Sequence, residues 1–194
     1  MSALLLYIHG FISSPQSQKA RDTEHYILEQ QLPVEFLAPQ IPHYPAQAFS
    51  LLTDLIERNS GKKIGMDGSS MGGFYATALA ERFGLRAVVV NPAVRPARLI
   101  ERYLGENYNP YTDETFVLEK QHIHELQELT IDELSAPKNI FLLAQAGDET
   151  LDYRDAVEYY RQCRQNIEAD GNHRFEGFDR HLHDIFGFLQ FTPN

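Results

Sequence analysis

The sequence of 194 residues contains a single cysteine, Cys163, and no tryptophan. One cysteine cannot form an internal disulfide, and such cysteine usage is typical of proteins from a reducing compartment. A lone cysteine is more often a small buried apolar residue than a nucleophile. We therefore give Cys163 no chemical role.

Positive charge is also scarce. There are 17 Lys and Arg residues against 27 Asp and Glu residues, which gives a formal net charge of -10 at pH 7. Nucleic acids and anionic membrane surfaces are bound by clusters of Lys and Arg, so this balance argues against both as partners. It also weakly disfavours a strongly anionic substrate.

Long apolar runs are missing as well, because no stretch approaches the roughly 20 residues of a membrane span. The first residues, MSALLLYIHG, lack the basic region and the small-residue cleavage site of a signal peptide. We expect a strand there, and we expect the protein to be cytoplasmic. The hydrophobic content of 43% and the charged content of 23% are ordinary for one globular domain.

The sequence does contain an alternation of short apolar runs with segments of helical periodicity. Continuous apolar runs are typical of strands that are buried on both faces of a parallel sheet. The alternation predicts an α/β fold, a single domain with a mostly parallel six-stranded sheet and helices on both faces. We expect strands at residues 3–8, 34–37, 64–66, 86–90 and 139–144 and around Ile167, and helices at residues 17–31, 46–58, 74–82, 155–161 and 179–191.

Residues 93–137 interrupt this alternation. The stretch is polar and helical in character, with aromatic residues at Tyr103, Tyr108, Tyr111 and Phe116. We expect a small helical lid inserted over the functional site. Plain helical packing on the flank of the sheet is the alternative.

The sequence GSSMG at residues 68–72 matches the motif G-x-S-x-G. A short apolar run precedes it and a helix-compatible run follows it, which is the context of a nucleophile elbow. Gly68, Gly72 and Gly73 leave room for the strand and the helix to approach each other. This context predicts Ser70 as a nucleophile, whereas a serine that only caps the helix is the alternative. No Gly-Lys-Ser/Thr ends the motif, so a Walker loop is excluded.

A serine hydroxyl needs a base to take its proton, and the base needs an acidic residue to orient it. In α/β hydrolases the order along the chain is Ser, then Asp or Glu, then His. Here Asp148 follows Gly147 at the end of the fifth strand, and His173 lies in a loop after the sixth. The order predicts Asp148 as the acid and His173 as the base.

Other residues compete for these roles. Glu149 and Asp152 are alternatives to Asp148, although acidic residues there also suit the start of a helix. His9, at the end of the first strand, could be catalytic, but a histidine before a glycine more often holds a loop by a hydrogen bond.

Two pairs of histidines could suggest a metal site. His122 and His124 have i, i+2 spacing on a predicted helix and point to different faces, so a solvated surface is the simpler interpretation. His181 and His183 compete with His173, but at the start of a Phe-rich helix they are more often surface or interface residues. We therefore predict no metal and no cofactor.

The chain resembles the α/β hydrolases, and closely the small bacterial YqiA-type esterases. The segments that carry the resemblance are LLLYIHGFISSP, IGMDGSSMGGFYAT, AVVVNPAVRP, GDETLDYRDAVEYY and GNHRFEGF. They are spread over nearly the whole chain, so the resemblance covers one domain over residues 1–194.

This resemblance implies an esterase with Ser70 as nucleophile, Asp148 as triad acid and His173 as general base. It also implies an oxyanion hole formed by the backbone N-H groups of Phe11 and Met71. Along the sheet, the second strand should come first, followed by the first, third, fourth, fifth and sixth strands.

The implied substrate is a small carboxylic ester, and the aromatic insertion suggests an apolar acyl group of short to medium length. A thioesterase or amidase would use the same triad, and a non-catalytic binding protein would keep the fold without its chemistry. We expect a monomer or a small homo-oligomer.

Asp67 departs from the pattern of these proteins, because strands before the elbow usually carry an apolar residue there. A buried and unpaired carboxylate at this position would be costly. We expect either that Asp67 is paired or that the strand ends before it.

Overall fold

The structure is a computed structural model and describes residues 2–192. Its main element is a six-stranded sheet in which every neighbouring pair is parallel, in the order β2-β1-β3-β4-β7-β8. This order is the one that the resemblance implies. The strands are β1 (Ala3–Ile8), β2 (Val34–Leu37), β3 (Lys63–Ser69), β4 (Arg86–Val90), β7 (Ile140–Gln145) and β8 (Arg164–Glu168).

Helices cover both faces of the sheet, and each face has its own apolar cluster. One cluster contains side chains from α2, α3 and α6, and the other contains side chains from α1 and α7. The central strands β4 and β7 are almost entirely buried, which explains their continuous apolar sequences. The helices are α1 (Gln18–Glu29), α2 (Pro45–Arg58), α3 (Met71–Phe83), α4 (Ala97–Ile100), α5 (Lys120–Glu128), α6 (Tyr153–Tyr159) and α7 (Leu182–Phe188).

Two predicted boundaries are wrong in a way that affects the site. The strand predicted at residues 64–66 extends to Ser69, and the helix predicted from residue 74 begins at Met71. Strand and helix therefore meet directly at Ser70. We ended the strand and started the helix too far from Ser70 because glycine has a low propensity for both structures. Here the glycines belong to the strand and the helix, since close packing requires them.

We predicted a helical insertion, and this is wrong in part because the insertion contains a β-hairpin. Strands β5 (Gly105–Asn109) and β6 (Glu114–Leu118) pair in antiparallel register between α4 and α5. Buried and exposed residues alternate along β6, with Phe116 and Leu118 facing inward. This period of two marks a strand, and the β-branched and aromatic residues of the hairpin favour one.

His122 and His181 are buried, whereas we predicted a solvated surface for His122 and a surface or interface position for His181. His122 lies in the first turn of α5, where its ring accepts a hydrogen bond from the Glu119 amide and stacks on Tyr44. His181 lies against Glu168, with 3.1 Å between Nε2 and the carboxylate oxygen. Both rings therefore have structural partners.

The part of the chain that the structure describes contains no helix that is both long and apolar enough to cross a bilayer. Within the same residues, no three His, Cys, Asp or Glu side chains are grouped so that they could hold a metal ion.

Candidate active site

Ser70 lies at the sharp turn between β3 and α3 at the carboxyl edge of the sheet. Its backbone has φ 55° and ψ -119°, a conformation that a residue with a side chain rarely adopts. The backbone is held there because the Ser70 amide donates to the Val90 carbonyl at 3.0 Å and the Ser70 carbonyl accepts from the Ala93 amide at 3.1 Å. Ser70 occupies the N-cap position of α3, but its hydroxyl caps no amide of the helix. The capping alternative is therefore wrong.

Two glycines make this turn possible. A Cβ on Gly72 would collide with the carbonyl oxygen of Ile8, since α3 begins directly against β1. A Cβ on Gly68 would collide with the Gly72 carbonyl and would lie 2.8 Å from Cβ of Ala76. The close approach of strand and helix expected from the motif is present.

Ser70, His173 and Asp148 form one hydrogen-bonded chain. His173 Nε2 lies 3.0 Å from Ser70 Oγ, and His173 Nδ1 lies 2.8 Å from Asp148 Oδ2. The hydrogen-bond network assigns the ring proton to Nδ1, since a carboxylate only accepts. Nε2 is then free to accept the serine proton. This is the geometry of a nucleophile, a base and an orienting acid.

Asp148 is fixed by its own loop. Its side chain is only 2% exposed, and Oδ1 accepts the amides of Thr150 and Leu151, each at 2.8 Å. Asp152 instead caps the start of α6 and pairs with Arg154, so it lies outside the hydrogen-bonded chain. Of the two acidic alternatives, Asp152 has the helix-starting role that we expected.

The loop that carries His173 is held by three polar side chains from strand ends and loops. Asn91 donates through Nδ2 to the carbonyls of Asn172, at 2.9 Å, and His173, at 3.2 Å. Gln145 Oε1 accepts the Asn172 amide at 3.1 Å. Glu149 Oε2 accepts the His173 amide at 2.9 Å, and this bond lowers the pKa of the glutamate. Glu149 therefore supports the His173 loop rather than beginning a helix.

Sequence reasoning assigned no role to Asn91 or Gln145. Both are polar residues that end buried apolar strands, and both side chains are almost fully buried. Their positions could have indicated a role at the site. A buried side-chain amide needs hydrogen-bond partners, and the carboxyl ends of parallel strands meet at the site.

His9 connects two loops beside Ser70. Its Nε2 accepts the Ile41 amide at 3.0 Å, so Nδ1 carries the proton and donates to the Gly10 carbonyl at 2.8 Å. Burial lowers the pKa of His9 to about 4. The ring is therefore neutral near pH 7, and it holds the loop as we expected.

The loop after His9 lies against Ser70. A Cβ on Gly10 would lie 3.7 Å from Ser70 Oγ. Within residues 2–192, neither the Phe11 amide nor the Met71 amide donates to a protein acceptor. Both backbone donors thus lack an acceptor in the described part of the chain.

A narrow apolar cavity lies beside this loop, under the β5–β6 hairpin. It has a free volume of about 20 Å³. The ring of Phe11 contacts Phe116 of the hairpin and Tyr103, both edge to face. The apolar walls of the cavity include Phe11, Met71, Tyr75, Ile100, Leu118 and Leu126.

Neither expectation for Asp67 is met. The residue lies inside β3, and its side chain is fully buried. Within the described part of the chain, neither carboxylate oxygen has a hydrogen-bond partner. Burial raises the pKa of Asp67 to about 7, and Lys19 opposes this shift. The carboxyl group is thus a costly feature next to the elbow.

Cys163 is partly buried, and burial raises the pKa of its thiol to about 11. A thiol in this state is protonated near neutral pH and is a poor nucleophile. Its position does not support a chemical role.

Residues 4–190 match the model of the family described as "Uncharacterised protein family (UPF0227)". The chain belongs to this family. The match covers nearly all of the sequence, from β1 to the residues after α7.

Solved structures place this UPF0227 member among the α/β hydrolases by fold. Mouse alpha/beta hydrolase domain-containing protein 10 superposes with a TM-score of 0.75 at 15% identity, over 98% of this chain and 90% of that one. Est1E from Butyrivibrio proteoclasticus, with bound ferulic acid, gives 0.75 at 15% identity over 97% and 88%. The esterase domain of a Rhodothermus marinus protein gives 0.67 at 19% identity over 97% and 85%. At these identities the likeness shows the fold.

Proposed function

We propose that the protein is a serine hydrolase that cleaves carboxylic esters through an acyl-enzyme intermediate. The observation that carries this proposal is the hydrogen-bonded chain from Ser70 through His173 to Asp148. These residues come from distant parts of the sequence, and the contacts at 3.0 Å and 2.8 Å serve no evident purpose in packing. Two of the structures with the same fold are described by the words Est1E and esterase domain, which agrees with the proposal.

In the first half of the reaction, Ser70 Oγ attacks the ester carbonyl carbon while its proton passes to His173 Nε2. Asp148 balances the charge of the imidazolium. The tetrahedral intermediate then expels the alkoxide, which takes the proton from His173 and leaves as the alcohol. In the second half, His173 takes a proton from water, whose oxygen attacks the acyl carbon. The second intermediate breaks its bond to Ser70 Oγ, which takes the proton back from His173, and the carboxylic acid is released.

The amides of Phe11 and Met71 are the donors that we assign to the oxyanion hole. Phe11 follows the glycine that approaches Ser70, and Met71 begins α3, where helix amides lack internal partners. A donor of this kind contributes about 3–4 kcal/mol to transition-state stabilisation.

The acyl group would enter the apolar cavity under the hairpin. A free volume of about 20 Å³ accommodates about one water molecule, so the hairpin must move away from the Phe11 loop for an acyl chain to bind. This is why we assign the insertion the role of a lid. The apolar walls of the cavity favour an apolar acyl group, which we expect to be of short to medium length.

Labelling with a fluorophosphonate probe, followed by mass spectrometry of the adduct, tests the proposal without knowledge of the substrate. We expect one label per chain on Ser70 and its loss in Ser70→Ala and His173→Ala. Ser69→Ala is the matched control, because Ser69 is buried next to Ser70 but forms no hydrogen bond with His173 in the described part of the chain. We expect it to be labelled.

If the folded wild-type protein takes no label, the serine is not activated, and a binding protein of this fold becomes the better interpretation. If labelling occurs, matched ester, thioester and amide substrates with one acyl group identify the leaving group. Ester hydrolysis that survives Ser70→Ala would contradict the proposal, since loss of the nucleophile should lower kcat by about 10⁶-fold.

A further inference from the structure

The buried carboxyl group of Asp67 has no part in the triad, the oxyanion hole or the cavity. It lies in β3 shortly before Ser70, in a position where an apolar side chain would be more favourable. A feature that destabilises the fold so close to the nucleophile is expected to have a functional reason.

The amino-terminal end of α1 contacts the residue that lies beside Asp67 in the sheet. Tyr7 of β1 is the direct neighbour of Asp67 in the sheet register. The Tyr7 hydroxyl lies 3.1 Å from Ser17 Oγ, and Ser17 is the N-cap of α1. This contact places Lys19, in the first turn of the helix, on the same side of the sheet as Asp67.

Lys19 reaches from α1 to the loop of the proposed base. Its Nζ donates to the carbonyl of Arg174 at 2.8 Å, and Arg174 directly follows His173. A cation in the first turn of a helix is disfavoured by the helix dipole, so local propensity does not explain this lysine. The presence of a lysine at position 19 is explained if its bond to the Arg174 carbonyl is needed.

Within the described residues Lys19 and Asp67 share no hydrogen bond, but their opposite charges influence each other's pKa. Burial lowers the pKa of Lys19 to about 8, and the Asp67 carboxylate opposes that shift. The other ionisable groups that face the pair are Tyr7 on β1, Asp22 on α1, and Asp148 and Arg174 beside His173.

We propose that Lys19 is a positioning residue for His173 through its bond to the Arg174 carbonyl, and that Asp67, whose strand neighbour Tyr7 contacts the N-cap of α1, acts through Lys19. Asn91 and Gln145 hold the His173 loop from the sheet, whereas Lys19 holds it from α1. This inference rests on the proposed function, because it assigns His173 the role of the base.

The first test compares Lys19→Met with Lys63→Met, using 4-nitrophenyl acetate as the substrate. Lys63 is a matched control, since its Nζ also donates to a backbone carbonyl, that of Gln190 at 2.7 Å, at the start of β3. We expect Lys19→Met to lower kcat by about 10- to 100-fold, because a misplaced base slows the chemical step. KM should stay within about twofold, and Lys63→Met should leave both constants unchanged.

The second test is the pH dependence of Asp67→Asn. Near pH 6 we expect Lys19 to be protonated with or without the Asp67 carboxylate, so the kcat of the variant should equal that of the wild-type protein. Near pH 8 the variant lysine loses its proton earlier, and kcat should fall by about three- to tenfold relative to wild type. Near pH 8, Lys19→Met should lower kcat much less in the Asp67→Asn background than in the wild-type protein. This non-additivity is expected if Asp67 acts through Lys19.

Equal kcat values for Lys19→Met and Lys63→Met would overturn the proposal, and so would an Asp67→Asn defect that is independent of pH. If Lys19→Met does not fold, Lys19→Gln removes the charge but keeps a donor, and the same kcat and KM comparison applies. Fluorophosphonate labelling separates the two proposals. An unlabelled wild-type protein contradicts the proposed function, whereas equal labelling rates of wild type and the Lys19 variant contradict only the role of Lys19.

Discussion

Asn91 holds the backbone of His173 in place. Its side-chain amide donates to the His173 carbonyl at 3.2 Å and to the preceding carbonyl at 2.9 Å, while Oδ1 accepts the Gln145 amide at 2.9 Å. Asn91 has φ 40°, in the left-handed region that Asn tolerates better than most residues. One side chain thus joins β4, β7 and the His173 loop at the edge of the sheet.

Asn91→Ala should therefore impair both stability and activity. The variant leaves the buried Gln145 amide without an acceptor, and we expect a loss of about 1–3 kcal/mol in the free energy of unfolding. A loosened His173 should lower kcat by about 10- to 100-fold. Urea unfolding and ester hydrolysis measure the two effects.

Asn59→Ala is the control for this variant, because Asn59 makes one amide-to-carbonyl bond of 2.9 Å at the end of α2, far from His173. It should lower stability slightly and leave kcat unchanged. Normal turnover in Asn91→Ala would show that the other contacts suffice to hold the loop.

Asp148→Asn tests the orientation of His173. The amide can donate to the ring and favour the wrong tautomer, so kcat should fall by about 10⁴-fold while the fold is retained. Asp152→Asn is the matched control and should affect only the capping of α6, by about 0.5–2 kcal/mol at most. Near-normal hydrolysis by Asp148→Asn would transfer the role of the acid to another residue.

Leu118→Ala tests the proposed acyl cavity. Leu118 lies on the inward face of the hairpin and lines the cavity, so its truncation should extend the preferred acyl chain in a series of 4-nitrophenyl esters. Leu52→Ala is the control, since Leu52 is equally buried in α2 but does not line the cavity. Each change should cost about 2–5 kcal/mol of stability. The same shift of acyl preference in both variants would mean that it reflects general loosening.

Asp67→Asn should change how stability depends on pH. Burial raises the pKa of Asp67 from 3.8 to about 7 in the folded protein. A raised pKa gives a contribution to stability that is present below pH 4 and is lost as the pH rises through 7. The variant lacks this loss, so its stability relative to wild type should increase between pH 5 and pH 8.

Urea unfolding at the two pH values measures this difference. Asp54→Asn removes one negative charge from the exposed face of α2 and serves as the control. If the stability difference between Asp67→Asn and wild type is the same at both pH values, the carboxylate is ionised and compensated throughout.

Much of the fold followed from local sequence. The apolar runs at residues 3–8 and 86–90 became the buried strands β1 and β4 with the predicted bounds, because a strand covered on both faces must be apolar along its length. Gly84 ends α3 in the left-handed conformation, as glycines after helices commonly do. The hairpin of the insertion was missed because a short stretch with Asn, Pro and Tyr also fits a turn between helices.

The sequence by itself determined the elbow and the polar residues at the carboxyl ends of the strands, because glycine spacing and apolar runs are local properties. Only the tertiary structure decided which of these residues meet. The contacts of His173 with Ser70, of Asn91 with the His173 loop and of Lys19 with Arg174 each join distant parts of the chain. Such hydrogen bonds depend on how loops approach one another at the edge of the sheet, and no local pattern records that approach.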